Sequence, residues 1–459
     1  MPDNPGMPEH TASPSPAPDT AAPAYPSFRE AFWYWLQLGC VSFGGPAGQI
    51  ALMHQELVDR KRWISERRFL HALNYCMLLP GPEAQQLAIY MGWLLHRTRG
   101  GLVAGVLFVL PSLFILVGLS WVYMAWGHVP AIAGVFYGIK PAVTALVVQA
   151  AYRVGSRALK NAWLWCIAVA AFVALFALDV PFPAIVLGAG VAGYLGGRWA
   201  PKAFAGSGGH AAAKATGTVA LIDDDTPPPA HARFSWAGVG KVLLTCLGLW
   251  LAAMGTLMVV WGWDAVLTQM GWFFTKAALL TFGGAYAVLP YVFQGAVEHF
   301  QWLTAPQMMD GLALGETTPG PLIMVVSYVG FVGGWSRALL GPDALFLAGA
   351  VAATVVTFFT FLPSFLFIFL GAPLIESTHG NLKFTAPLSG ITAAVVGVIF
   401  NLALFFAYHV LWPQGWGSRP DALAAAIGVA AGVALLRYKV GVIPVVLACG
   451  LVGLLHALL

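Results

Sequence analysis

FGGPAGQIALMHQELVDRKRWISERRFLHALNYCMLLPGPEAQQLA, residues 43–88, is the stretch that decides the fold. Two breaks, Phe43-Gly44-Gly45-Pro46 and Pro80-Gly81-Pro82, interrupt otherwise apolar segments, and Arg60, Lys61, Arg62, Arg67 and Arg68 lie between them. Glycine and proline interrupt a helical ladder, and in a bilayer the freed backbone groups must face protein or a wet cavity. Moved along by 239 positions without a gap, Phe43-Gly44-Gly45 falls on Phe282-Gly283-Gly284, and Pro80-Gly81-Pro82 falls on Pro319-Gly320-Pro321. The same register aligns Trp33 with Trp272, Gln55 with Gln294, Val58 with Val297 and Trp63 with Trp302. After a 13-residue insertion, Leu110-Pro111-Ser112 matches Leu362-Pro363-Ser364, and Gly138-Ile139 matches Gly390-Ile391. Several motifs on one register mark an internal duplication.

Around these motifs the composition leaves one solvent. The 459 residues are 59% hydrophobic and 9% charged, with a mean hydropathy of +0.76. Soluble domains carry about a quarter charged residues, so this chain belongs in lipid. Its net charge of +4 is too modest to point to nucleic acid. Cys40, Cys76, Cys166, Cys246 and Cys449 sit in apolar runs without a CxxC pair, and the histidines show no zinc-type spacing. No phosphate-binding GxxxxGK[ST] loop occurs. These readings imply no metal, no cofactor and no enzymatic activity.

The predicted organisation is a disordered cytoplasmic tail over 1–27, a first transporter repeat over 28–199 and a flexible cytoplasmic linker over 200–235. A connecting transmembrane helix over 236–262 leads to a second repeat over 263–459. The basic connection Arg60 to Arg68 has a counterpart, His299 to Gln307, with no Lys or Arg. Basic loops stay on the cytoplasmic side, so matching loops of opposite character predict inverted repeats. The expected class is therefore an all-α polytopic membrane protein with broken or re-entrant helices. If the broken segments re-enter, the chain crosses nine times, and only Arg337 and Arg419 among its basic residues face out. If they cross fully, the count is 13 and Arg60 to Arg68 move outside. The positive-inside rule favours the hairpins, with the N-terminus cytoplasmic and the C-terminus periplasmic.

Inverted repeats with broken helices are a signature of secondary transporters, whose sites lie where the repeats meet at mid-membrane. A helix restarting after Pro80-Gly81-Pro82 or Pro319-Gly320-Pro321 presents unpaired N–H groups suited to an oxyanion. The Phe43-Gly44-Gly45-Pro46 and Phe282-Gly283-Gly284 breaks let backbone approach a ligand closely. The alternative is that both motifs only kink helices for packing. Lys140 and Lys276 lie inside apolar segments and offer countercharge to a bound anion. Glu83, next to the first PGP, and Glu316, three residues before the second, are proton-coupling or charge-partner candidates. A fixed Lys–Glu ion pair is the competing structural role. Glu56, His54 and Asn74 rank below these as packing or network residues, and Arg60 to Arg68 read as a topology anchor, with drawing anions to the cytoplasmic mouth as the alternative.

Taken together, residues 43–88 and the FGG–W–TPGP pattern of 282–321 resemble the chromate ion transporter (CHR) family in its long two-domain form. The likeness extends more thinly over 28–459. It implies a bacterial inner-membrane secondary transporter that exports chromate, driven by the proton gradient or membrane potential, and so confers chromate resistance. Sulfate is the stereochemically similar anion and the alternative substrate, with other oxyanions behind it. An anion channel or a non-transporting scaffold is the alternative from a different class, and a homo-oligomer is left open. Two departures stand out. The second copy has Ala285 where the first has Pro46, and it lacks the basic run, so the halves need not contribute equally.

Overall fold

The computed structural model describes residues 23–43, 45–204, 220–223, 226, 229–282, 284–377 and 385–459. Most of the predicted tail, the middle of the predicted linker, Gly44 and Gly283 lie outside the described residues. The described chain is helical throughout. Its one β element is an isolated parallel bridge between Ile64 and Ile222.

In the first half, α1 (Phe28–Val41) ends at the FGG motif, and α2 (Gly45–His54) continues into a π-helical turn over Gln55–Arg60. Helix α3 (Glu66–Cys76) runs to the PGP motif, where α4 (Glu83–Trp126) begins. Then follow α5 (Pro130–Ala158), α6 (Ala162–Leu178), α7 (Phe182–Trp199) and the short α8 (Pro201–Phe204). Helix α9 (Trp236–Trp261) joins the halves. The second half repeats the order with α10 (Val266–Leu280), α11 (Ala285–Phe293), a π-helical turn over Gln294–His299, α12 (Ala305–Thr317) and α13 (Val325–Ser336). It closes with α14 (Leu345–Ser377), α15 (Thr385–Leu411), α16 (Ala422–Leu436) and α17 (Val442–Leu458). Side-chain caps start many of these helices: Ser27, Ser65, Asn161, Ser235, Thr304 and Asp421 each accept a first-turn N–H.

The duplication reaches down to single backbone angles. Both copies place a π-helical turn at the same register, and Arg62 and its counterpart Gln301 share a φ of 51° and 52°. The copies also exchange partners. Helix α5 packs on α16 and α17, while α15 packs on α6 and α7. Gly138 abuts the Cys449 carbonyl and Gly453, and its counterpart Gly390 abuts the Ala189 carbonyl and Gly193. When residue i meets j′ and i′ meets j, the two copies are related by an approximate two-fold axis.

Helix α4 is two limbs. His96 (φ −133°, ψ 34°) and Arg97 (φ 57°, ψ −158°) leave the helical region. Gly92 then packs on Gly100 and Ala104, and Gly105 packs on Ile89, so the limbs fold back antiparallel. In the second copy α13 turns back on α14 in the same way, with Gly330 against Ala352 and Ala353 and Gly334 against Ala348.

The ends of the broken arms gather together. Lys61, after the first π-helical turn, pairs with Glu30 at the start of α1 at 3.4 Å. His96 meets the Pro26 carbonyl at 3.0 Å. The end of the predicted linker joins this cluster: Leu221 N–H donates to the Arg62 carbonyl at 2.9 Å and Ile222 N–H to the Trp63 carbonyl at 3.1 Å. His231 meets the Trp93 carbonyl at 2.9 Å. Burial lowers the pKa of this imidazole from its ordinary value.

The described residues hold fewer crossing-length helices than the nine or 13 expected. Among the described residues, five helical stretches are long and apolar enough to cross a membrane: Glu83–Trp126, Pro130–Ala158, Trp236–Trp261, Pro342–Glu376 and Ala386–Leu411. Helices α6, α16 and α17 have 17, 15 and 17 residues. At 1.5 Å per residue they reach about 22–26 Å, short of the ~30 Å hydrocarbon core. Helix α7 has 18 residues but is diluted by five glycines and Arg198.

Candidate substrate site at the helix breaks

The breaks of the two copies meet, and they meet reciprocally. Gly81 N–H donates to the Thr281 carbonyl at 2.7 Å, and Gly320 N–H donates to the Ser42 carbonyl at 2.9 Å. These are the same contact made twice, because Gly320 is the counterpart of Gly81 and Thr281 that of Ser42. Each PGP glycine therefore touches the residue that precedes the other copy's FGG. Gly81 and Gly320 have φ of 123° and 103°, and Gly45 and Gly284 have φ of 71° and 95°, a region that favours glycine. No side chain caps the helix that follows Pro82, the turn that follows Pro321 or the helix that follows Gly284. Uncapped helix starts leave N–H groups aimed at the junction, the arrangement that attracts anions.

Polar side chains concentrate there, and the amides come from the first copy. Gln49 Nε2 donates to the Gly320 carbonyl at 2.5 Å and to the Ser42 carbonyl at 3.2 Å. Gln86 Nε2 donates to the Pro80 carbonyl at 2.7 Å. Both amide atoms of Gln85, Oε1 of Gln49 and Gln86, and the hydroxyls of Ser42 and Ser112 are buried without a hydrogen-bond partner. A buried unpaired polar group costs about 1–3 kcal/mol, so such a cluster invites a polar ligand. In the second copy these positions are Val288, Met324 and Val325, while Thr281 donates to its own helix at Ala277. At these three positions the first copy is polar and the second apolar.

The predicted carboxylates lie at this junction. Glu83 opens α4, and its Oε1 comes closest to the space beside Gly284, the second copy's FGG. The Tyr286 hydroxyl donates to Glu316 Oε1. Arg157 is the cation whose charge acts on Glu83, and Arg153, one turn earlier on α5, acts on Glu316. Phe43 is half-exposed, Pro46 sits in the first turn of α2, and Pro80, Pro82, Phe282, Pro319 and Pro321 flank the meeting glycines.

The two lysines have other neighbours. Lys276 places its Nζ 5.7 Å from the ring centre of Trp272, which stacks near Trp250 and Trp263 beside α9. Lys140 pairs with Asp310 at 3.5 Å, and neither lysine pairs with Glu83 or Glu316 among the described residues. Sequence reasoning missed Asp310, Arg153, Arg157, Gln49, Gln85 and Gln86. A signal existed for Gln85-Gln86, two adjacent amides directly after a PGP break, and for Asp310, an acid inside an apolar helix.

Apolar helices long enough to cross a bilayer, wrapped around a duplicated pair of meeting breaks, define a multi-pass membrane transport protein. Comparison narrows the class. The profile of the family described as "Chromate transporter" matches residues 29–194 and again 268–454. The chain is 33% identical over 460 residues to a chromate transport protein of Pseudomonas aeruginosa, covering 97% of each chain. It is 31% identical over 451 residues to a chromate transport protein of Cupriavidus metallidurans, covering 96% of this chain and 98% of that one. A probable chromate transport protein of Synechococcus elongatus is 28% identical over 378 residues, 82% of this chain and 84% of the other. No solved structure matches. The chain belongs to the chromate transporter family, in its long two-domain form.

Proposed function

We propose that this chain is a secondary active transporter that exports chromate across the bacterial inner membrane, driven by the proton gradient or membrane potential, and so confers chromate resistance. The observation that carries this function is the reciprocal contact of the breaks, Gly81 with Thr281 and Gly320 with Ser42, amid buried unpaired amides and hydroxyls. Backbone N–H groups and neutral amides suit a tetrahedral dianion.

Residues 28–199 and 263–459 act as inverted repeats joined through 200–235 and 236–262. Inversion does not depend on the crossing count. Broken arms and short helix pairs each add zero or two crossings per half, so α9 always makes the total odd and turns the second half over. The clustering of Pro26, Glu30, Lys61, Ile64, His96 and Ile222 supports re-entrant arms, because full crossings would put loop 60–68 and the linker on opposite faces. With that cluster cytoplasmic, the N-terminus is inside and the C-terminus is periplasmic.

A second substrate, sulfate, is favoured by the same contacts, since N–H groups and amides hardly separate two tetrahedral dianions. Burial of Gly81 and Gly320 favours a gated carrier over an anion channel or a scaffold. Energised everted vesicles containing the protein should accumulate labelled chromate, and excess sulfate should reduce that uptake. Vesicles that take up no chromate above a protein-free control would overturn the assigned substrate.

A further inference from the structure

A second polar centre lies apart from the breaks, on the interface between the copies. Asp310 of α12 is buried, with its side chain 3% exposed, inside an apolar stretch. It precedes Glu316 at the break by six residues, about 9 Å along the helix. Lys140 of α5 lies 3.5 Å from Asp310 Oδ2, and the Tyr123 hydroxyl of α4 donates to the same oxygen at 2.9 Å. Tyr328 of α13 packs its ring on Tyr123 at 5.6 Å, and its hydroxyl is buried without a hydrogen-bond partner. The other oxygen, Oδ1, is buried without a partner. The remaining elements packed on α12, including α15 and α17, add no ion pair to Asp310 among the described residues.

A structural ion pair in a membrane satisfies both oxygens, because leaving one bare is costly. Here both donors crowd Oδ2. Lys140, by contrast, is 28% exposed and has room to turn away from its partner. Its counterpart in the second copy is Thr392, and that of Asp310 is His71, so the pair occurs once in the duplicated frame.

Building on the anion-carrier function proposed above, we propose that Asp310 is a proton-binding site that controls Lys140, whose charge passes between the Asp310 carboxylate and the transported anion. With Asp310 ionised, Lys140 is held. A proton taken from water onto Oδ1 neutralises the carboxyl and frees one positive charge to balance the anion; release of that proton recaptures the lysine. Proton and anion therefore bind together. A dianion travels with one proton and one net negative charge, which the membrane potential drives out of the cytoplasm.

The test is labelled chromate exchange in proteoliposomes containing the full chain. Wild-type apparent affinity should rise as pH falls, by up to about tenfold per unit, the limit for one linked proton. Asp310→Asn, permanently uncharged there, should keep exchange but lose most of that pH dependence and the proton movement that accompanies net flux. Because that variant leaves Lys140 unpaired, Asp310→Asn/Lys140→Gln removes both charges; it should remain folded and bind anion at least tenfold more weakly. Wild-type pH dependence in Asp310→Asn, or wild-type affinity in the double variant, would overturn the proposal. No chromate exchange by the wild type would instead overturn the carrier function.

Discussion

Gly81→Val and Gly320→Val should each abolish anion uptake while leaving the protein in the membrane at normal abundance. The reason lies in the backbone. At φ of 123° and 103° a β-branched residue is strained, by about 1–3 kcal/mol even in the milder left-handed region. A Cβ on Gly81 would fall 2.6 Å from Gln86 Nε2 and 2.9 Å from Ser364 Oγ, and one on Gly320 would fall 2.8 Å from Ser112 Cβ. Relief of either clash moves the glycine N–H off the other copy's carbonyl. Even about 1.4 kcal/mol added to the transport barrier slows transport roughly tenfold, so both variants should fall at least that far. Gly118→Val is the control, because a Cβ there meets nothing within 4 Å. Initial uptake rates normalised to protein in the membrane decide the matter. Normal rates in both variants would reduce the breaks to packing devices.

Arg68→Ala should destabilise the fold far more than Arg67→Ala, although the two are neighbours in one basic run. Arg67 is exposed. Arg68 is 12% exposed and lies 3.3 Å from Glu376, itself 8% exposed, which also accepts the Tyr90 hydroxyl at 2.7 Å. Arg68 further donates to the Thr226 carbonyl and so ties the linker to α3 and α14. Removing one partner of a buried pair costs about 3–5 kcal/mol, whereas an exposed substitution stays within about 0.5 kcal/mol. Thermal unfolding in detergent, with Glu376→Gln to complete a double-mutant cycle, measures the difference. Equal effects at both positions would show that Arg68 is only a topology anchor.

That basic run shows how far the sequence could be read. Positive charge without spatial context suggests orientation, and Arg60 and Arg67 fit that role, but burial of Arg68 needs Glu376 more than 300 residues away. The duplication was legible because FGG, Trp63 and PGP share one register, and glycine and proline carry their backbone meaning locally. The swap of α5 and α15 between copies was not, because it depends on Gly138 and Gly390 meeting helices far along the chain. Crossing-length helices are fewer than expected for a local reason: apolar composition does not reveal that α6, α16 and α17 stop short of membrane thickness. The breaks were found as motifs, but the unpaired amides were overlooked: Gln49 is an isolated glutamine with no sequence signature for burial, whereas the adjacent Gln85 and Gln86 after the break were a signal left unread. Lys140 was found and its partner was not, because Asp310 stands away from both motifs.

The account rests on two copies of one break-bearing unit facing opposite ways across the membrane. Asp59 and Glu298 are equivalent positions on the two π-helical turns, and both are exposed. Single cysteines at Asp59 and at Glu298, in a background lacking the native cysteines, should give opposite results with a membrane-impermeant maleimide. Asp59→Cys should label only in everted vesicles and Glu298→Cys only in intact cells. Labelling of both from the same side would contradict the inverted arrangement on which the shared site depends.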